Sequence, residues 1–428
     1  MPLLALVTLL LALGYAVVAA VLVLTLRRPE PWAEPLAAAP HEWPDVDVVV
    51  PARDEADTLP ATLASLAAQD YPGRLRFLVV DDRSQDDTAR LVQRAAASDQ
   101  RFELVRVETP SRRLAPKVNA VSHGIAAGSA PWIVTTDADC LHPRGWLRAL
   151  VAAGESHVMV TGYVETARPG EARGLFRKVE ALDWISLMLT NRALVRLGAS
   201  VASAASNQAY RRSAFDALGG FGVAGRAPSG DEDLLTQRLG ALPGAGVAYT
   251  DAEDARVLTA SAGSWGGFLA QRRRWVSRYH HPQHYHPGFL AGIVLLGAHS
   301  VCLSVSTLAV PWWPESLPWL LGSWGLVLAV VLSGMHLGLS RLGRDDLRGW
   351  PVLAWALLHP LLIATAVIWS VVRPGSWHAG ADDYRGRAWR AWVRRALRRA
   401  RRRSLGRSRV GARRQRRPQR TEARNVRW

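Results

Sequence analysis

The sequence predicts an α/β domain, a mostly parallel sheet with flanking helices, joined to transmembrane helices. Three observations predict it. Short apolar runs alternate with stretches of helical spacing through the first part of the polar block, as strand–helix units of a parallel, helix-covered sheet do. Acids recur just past the ends of those runs: Asp54 and Glu55, Asp81 and Asp82, Asp137 and Asp139. Four apolar stretches, one at the start and three late, are long enough to cross a bilayer.

Met1 to Leu26 is almost wholly apolar and is followed at once by Arg27 and Arg28. A cleaved signal peptide carries its positive charge ahead of the apolar core and small residues after it. The reverse order here predicts an uncleaved anchor over residues 1–28, with both arginines in the cytoplasm. Residues 44–285 are the only long part with a mixed polar and apolar pattern and form the expected catalytic domain. Val46 to Val50 reads as a strand entering Pro51-Ala-Arg-Asp-Glu55. Thr58 to Gln69 has helical spacing, with Leu59, Leu63 and Leu66 on one face. Arg76 to Val80 is a second strand ending in Asp81-Asp82-Arg-Ser84, Thr88 to Ala97 a helix, and Phe102 to Val107 a third strand.

The fourth strand, Trp132 to Val134, leads into Thr135-Thr-Asp-Ala-Asp-Cys140. Two carboxylates one residue apart at the carboxyl end of a parallel strand sit in the crevice where α/β sheets bind ligands. Hard divalent cations want oxygen ligands, and Mg²⁺ commonly takes one or two carboxylates plus substrate phosphates. Asp137 and Asp139 are therefore candidate holders of a metal–diphosphate group. Alone they also fit a solvated loop; three acid clusters converging on one sheet edge favour the site.

Phe289 to Val310, Leu317 to Leu339 and Trp350 to Val372 predict membrane segments within residues 286–373, with Trp312, Trp313, Trp319 and Trp350 as interfacial anchors. Four spans put the chain's end on the side of Met1, outside. Arg341, Arg344, Arg348 and the Arg-rich tail over residues 374–428 argue for the inside, so one late segment is expected to be interfacial or re-entrant. The net charge of +17 comes largely from that tail. Its place directly after a membrane helix favours anionic lipid headgroups over nucleic acid as partner; a disordered tail, or a compositional run with no role, fits the residues as well. Cys140 and Cys302 are the only cysteines, which rules against a disulfide-stapled secreted scaffold and suits a reducing cytoplasm.

Six motifs follow one another: Pro51-Ala-Arg-Asp-Glu55, Val79-Val-Asp-Asp-Arg-Ser84, Lys117-Val-Asn119, Thr136-Asp-Ala-Asp139, Gly230-Asp-Glu-Asp-Leu234 and Gln271-Arg-Arg-Arg-Trp275. In type and order they resemble those of the family 2 glycosyltransferases, which have the nucleotide-diphospho-sugar-binding GT-A fold. Arg385-Gly-Arg387, between Tyr384 and Trp389, is similar to an ending of some membrane members. Two departures stand out. Asp54 takes the place of the usual Asn, and Asp231-Glu232-Asp233 takes the place of a pair of acids, which leaves the base open by a residue or two.

The resemblance implies a role for each part. Ala52, Arg53, Glu55 and Asp82 would surround the nucleotide base and ribose, where carboxylates can accept from N–H and hydroxyl groups. Lys117 would lie near the diphosphate as a point charge. Asp137 would contact the donor and, with Asp139 as the more direct ligand, hold Mg²⁺ or Mn²⁺. Asp231, Glu232 or Asp233 would be the general base, with Asp231 first choice and Asp233 next; the same stretch also reads as a capped helix start. Gln271, Arg274 and Trp275 would lie near the acceptor and the diphosphate. Asn207, Arg211, Arg212 and Gly219-Gly-Phe221 would shape the acceptor side. From the residues themselves, Trp265 to Tyr285 reads as an amphipathic helix suited to the membrane surface. Tyr279, His280, His281, His284 and His286 fit an interfacial cluster better than a metal site.

The expectation is a multi-pass protein of the inner membrane, its catalytic domain cytoplasmic. It would be an inverting transferase moving a sugar from a nucleotide-diphospho-sugar to a hydroxyl of a membrane lipid. The acids and the Gln-Arg-Arg-Arg-Trp stretch immediately precede the membrane segments, which places the acceptor in the bilayer. Hopanoid-associated and ceramide-type members are the nearest in resemblance. Two alternatives are a processive polysaccharide synthase, for which three late segments give little material for a channel, and a non-catalytic membrane scaffold, against which the full set of acids counts.

Overall fold

Most of the apolar runs become strands buried on both faces; Phe102–Arg106, at the sheet edge, is partly exposed. In the computed structural model, which describes residues 2–27, 42–109, 111, 113–222, 225, 231–277 and 285–372, the strands are β1 (Val46–Ala52), β2 (Leu75–Asp81), β3 (Phe102–Arg106), β4 (Trp132–Thr135), β5 (Met159–Gly162), β6 (Val164–Glu165), β7 (Gln208–Arg211), β8 (Val247–Thr250) and β9 (Val257–Leu258). Seven of them form one sheet in the order β3-β2-β1-β4-β7-β5-β8, while β6 and β9 pair separately. The half from β3 to β4 is parallel; β7 runs antiparallel between β4 and β5, and β8 lies parallel to β5. Strands covered on both faces read as continuous apolar runs, and Val48, Val49, Val50, Phe77, Leu78, Val79 and Val80 have no exposed surface.

The helices are α1 (Pro2–Leu26), α2 (Leu59–Ala67), α3 (Thr88–Ser98), α4 (Pro116–Ala127), α5 (Trp146–Ala153), α6 (Gly174–Arg196), α7 (Arg212–Ala217), α8 (Asp231–Gly240), α9 (Trp265–Ser277), α10 (Pro287–Ala309), α11 (Leu317–Leu342) and α12 (Trp350–Val372). Pro116 opens α4 at its first position, where its missing N–H costs nothing. Gly124 lets that helix lie close on the sheet: a Cβ there would stand 2.5 Å from Val49 Cγ1 and 2.8 Å from Val80 Cγ2.

Among the described residues, four helices (α1, α10, α11 and α12) are long and apolar enough to cross a membrane. Helix length does not mark an interfacial or re-entrant segment among the late ones. Even Pro360, inside α12, leaves that helix continuous. α1 packs on α10 and α11, and α12 packs on α6, α9 and α10. The link between α11 and α12 is tied to the sheet domain. Arg341 Nε meets Asp251 Oδ2 at 2.8 Å, buried Arg344 meets Glu165 at 3.4 Å, and Arg256 donates to the Leu342 carbonyl at 3.1 Å. Arg28, Tyr279, His280, His281, His284, Gly230, Arg385, Arg387 and the Arg-rich tail lie outside the described residues.

Candidate active site

Because β1, β2 and β4 run parallel, their carboxyl ends emerge on one edge, and so do the loops that follow. The loops after β1 and β2 are sewn together by main-chain donors. Asp54 N donates to Ser84 Oγ at 3.0 Å, Glu55 N to Thr88 Oγ1 at 2.8 Å, and Gln85 N to Asp54 Oδ1 at 2.7 Å. Asp54 and Arg83 hold positive φ, 53° and 59°. Asp and Asn tolerate that region better than most residues, so Asp54 in place of Asn keeps the turn. Glu55 is fixed by Thr58, whose hydroxyl donates to its carboxylate at 2.5 Å. Buried Asp82 pairs with Arg83 at 2.9 Å and faces Arg53 at 3.8 Å.

The loop after β4 is held from beneath. Thr62 Oγ1 donates to the Ala138 carbonyl at 2.7 Å and Thr136 Oγ1 to that of Ser206 at 2.9 Å. Both ring nitrogens of His142 are bonded, to Ser65 Oγ at 2.9 Å and Thr136 Oγ1 at 2.8 Å. Burial pushes this imidazole down to about 3, which keeps it neutral. Above this support, Lys117 in the first turn of α4 reaches Asp137 Oδ1 at 2.6 Å.

Asp137, Asp139 and Cys140 bring possible ligand atoms within 4.8 Å of one another. Two carboxylates beside a lysine suit a hard divalent cation that also takes phosphate oxygens. Burial, with the nearby charges of Asp139 and Asp137, pushes the Cys140 thiol well up, so the oxygens are the donors that fit.

Across the edge, α8 supplies Glu232 and the buried Asp233, whose Oδ1 accepts from Ser203 N at 3.4 Å. The side chain of Asp231 falls outside what the structure describes. From the membrane side, α9 brings Gln271, Arg274 and Trp275. Its Arg272 is buried rather than turned to a membrane surface, as an amphipathic reading expects. It pairs with Asp183 of α6 through Nε at 2.8 Å and lies against the rings of Trp275, Phe268 and Trp184. Trp275 in turn meets Trp184 edge-on at 5.4 Å.

One cavity of about 970 Å³ collects these groups. Its upper wall holds Ala52, Arg53, Glu55, Asp82, Lys117, Asp137 and Asp139, with Glu232, Asp233, Gln271, Arg274 and Trp275 opposite. Its lower wall is apolar and comes from α1, α6, α10 and α11, for example Leu22, Leu187, Leu295 and Val331. The cavity thus runs from the acidic edge down between the membrane helices. Asn207, Arg211 and Arg212 do not line it. Asn207 is wholly buried, accepting from Trp146 Nε1 and donating to the Tyr163 and Ala255 carbonyls, all at 2.8 Å. Arg212 is bonded to Asp47, at the opposite end of β1. His286 caps α10, accepting from Gly288 N at 3.2 Å. Sequence reasoning missed Asp183 and the whole of α6, though Arg272 within the Gln-Arg-Arg-Arg-Trp stretch implied an acidic partner.

Residues 47–219 match the family described as Glycosyl transferase family 2. The chain is 32% identical over 181 residues to an N-acetylglucosaminyltransferase of Rhizobium leguminosarum bv. viciae, a match covering 41% of each protein. It is 28% identical over 177 residues to an undecaprenyl-phosphate 4-deoxy-4-formamido-L-arabinose transferase of Klebsiella pneumoniae, over 40% of this chain and 50% of that one. The chain therefore spans half or less of the length of these relatives. A mannosyltransferase from Pyrobaculum calidifontis, solved with GDP-Man and Mn²⁺, superposes with a TM-score of 0.54 at 22% identity, over 88% of this chain and 100% of that one. That likeness is one of fold.

Proposed function

From a chain that carries a glycosyl transferase family 2 domain on a GT-A fold, we infer a membrane-bound, inverting glycosyltransferase. It moves a sugar from a nucleotide-diphospho-sugar to a hydroxyl of a membrane lipid. The observation that carries this reading is the single cavity joining the acidic edge to the gap between the membrane helices. Its volume lies in the range of small-molecule sites, and its two walls differ in chemistry as a polar donor and an apolar acceptor do.

Glu55 and Asp82 accept hydrogen bonds from the nucleoside, and Lys117 faces the diphosphate. Asp139 and Asp137 would hold Mg²⁺ or Mn²⁺, whose chemistry there is to neutralise charge on the leaving diphosphate. Asp233 or Asp231 takes the proton of the acceptor hydroxyl as its oxygen bonds to the anomeric carbon. The bond from that carbon to the diphosphate breaks as the new one forms, so the configuration inverts. Arg274 and Trp275 border the path by which the acceptor rises from the bilayer. The domain works on the cytoplasmic face of the inner membrane, and the Arg-rich tail adds contact with anionic headgroups.

The test uses the full chain in lipid nanodiscs with labelled UDP-GlcNAc, UDP-Glc and GDP-Man, Mg²⁺ or Mn²⁺, and a total lipid extract. Label should enter the organic phase as a single-sugar lipid. A long water-soluble polymer would instead make the protein a processive synthase. Failure of every donor to transfer would leave the scaffold reading.

A further inference from the structure

At its membrane end the large cavity adjoins a small one of about 10 Å³. Tyr15, Leu296, Val331, Trp355 and His359 line both, and His299 and Ser300 line the small one. Three of these residues carry polar atoms without a hydrogen-bond partner: His299 at both ring nitrogens, Ser300 at Oγ and Trp355 at Nε1. They are 1%, 1% and 3% exposed. Ser300 shares its unpaired hydroxyl with Ser304, one turn further along α10, and differs in this from other hydroxyls of the bundle. Thr307, Ser323, Ser333 and Thr365 all donate to the carbonyl four residues back, the ordinary way for a helix to satisfy a hydroxyl. The His299 ring is fixed by stacking on Tyr15, with centroids 4.7 Å apart.

Such groups are costly inside a bilayer, where no water offers a substitute partner. Ionisable residues there commonly mark a substrate path. Their depth follows from α10. His286 N, at the start of that helix, donates to Gln237 Oε1 of the acid-bearing α8 at 2.7 Å. At 1.5 Å per residue, His299 lies about 20 Å further along, well inside a hydrocarbon core of about 30 Å.

We propose that His299, Ser300 and Trp355 form a second recognition point for the acceptor. They bind a hydroxyl carried on the lipid's apolar body, about 20 Å along α10 from its start beside α8. The inference rests on the lipid-acceptor reading above. The chemistry selects a hydroxyl: the indole N–H can only donate, whereas a neutral imidazole and a serine each donate and accept. One ligand oxygen bearing one proton can accept from the indole and the serine and donate to one of the two imidazole nitrogens. A lipid with a purely hydrocarbon body leaves them unpaired, and sites built to bind a hydroxyl discriminate strongly against analogues that lack it.

The experiment compares two probes in nanodiscs with the full chain and the donor panel: a long-chain 1-alkanol and the α,ω-diol of the same length. The wild-type protein should favour the diol by at least about tenfold in kcat/KM. His299→Leu should bring that ratio close to one. Trp355→Phe keeps the ring and removes only the N–H, so it should lower the ratio even where His299→Leu fails to fold. Equal use of both alcohols by the wild type overturns the inference and leaves the lipid-acceptor reading standing. A preference untouched by Trp355→Phe and by Ser300→Ala also overturns it. Failure of every lipid alcohol, beside donor transfer to polymer, overturns both.

Discussion

Asp183→Asn is the most informative single change, because it keeps size and shape and removes one charge. Asp183 is buried, and so is its partner: Arg272 is 4% exposed. The guanidinium carbon lies 4.1 Å from the Trp275 ring centroid, 4.5 Å from that of Phe268 and 5.7 Å from that of Trp184. Without the carboxylate, a desolvated cation remains among three rings. Removing one partner of a buried pair costs about 3–5 kcal/mol, against about 0–1 kcal/mol for an exposed pair. In a domain of this size each kcal/mol is worth about 2–4 °C, so the variant should melt about 6–20 °C lower. The assay is tryptophan fluorescence on heating the purified protein in detergent. A second variant, Asp183→Leu with Arg272→Met, removes both charges and should melt well above Asp183→Asn. A fall of less than about 3 °C for Asp183→Asn would mean that water screens the pair, and the account of how α9 seats Trp275 against the cavity would be wrong.

Three further outcomes are expected. Asp139→Ala should abolish the metal-dependent part of donor binding, read by calorimetry with UDP-GlcNAc and GDP-Man with and without Mn²⁺; unchanged binding would remove Asp139 from the metal site. Asp233→Asn should slow transfer about 10²–10⁴-fold with donor affinity kept; if Asp231→Asn does this and Asp233→Asn does not, Asp231 is the base. His142 stays neutral when folded, down to about 3, while in the unfolded chain it takes a proton near 6.5. The unfolded state binds the extra proton, so stability present above about pH 6.5 is lost toward pH 3, by about 1.4 kcal/mol per pH unit. Denaturant midpoints against pH should show a shallower acid limb in His142→Gln, and identical limbs would contradict this assignment.

The parallel half of the sheet was legible because β1, β2 and β4 are largely apolar runs that lead into acids, with the half-exposed β3 beside them. β5, β7 and β8 were not: they are four residues each, too short for a period to show, and β4, no longer, was read from the Asp-x-Asp that follows it. α6 hid for another reason. Its buried face carries Glu180, Asp183, Asn191 and Arg192, polar groups whose periodicity does not register as hydrophobic. Most acids of the site could be read because they follow a strand end; Glu232 and Asp233, at the start of α8, were read from their motif instead. The lower cavity could not, since helices far apart in the chain build it and share only apolarity. Asn207, Arg211 and Arg212 were expected on the acceptor side, yet they serve as scaffold, because resemblance of a motif does not say which way its side chains face.

The α11–α12 link has a mechanical consequence. Arg344 is 1% exposed, meets Glu165 and Asp346, and donates to the Ala167 carbonyl at 2.9 Å. Arg341, in the last turn of α11, grips Asp251. Rocking the sheet domain on the bilayer would break these contacts together, so the molecule has no hinge there to absorb a tilt. On the proposed reading, the height of the acids over the headgroup plane would then be a fixed dimension, and a hydroxyl would be admitted or refused by how far it projects from the membrane.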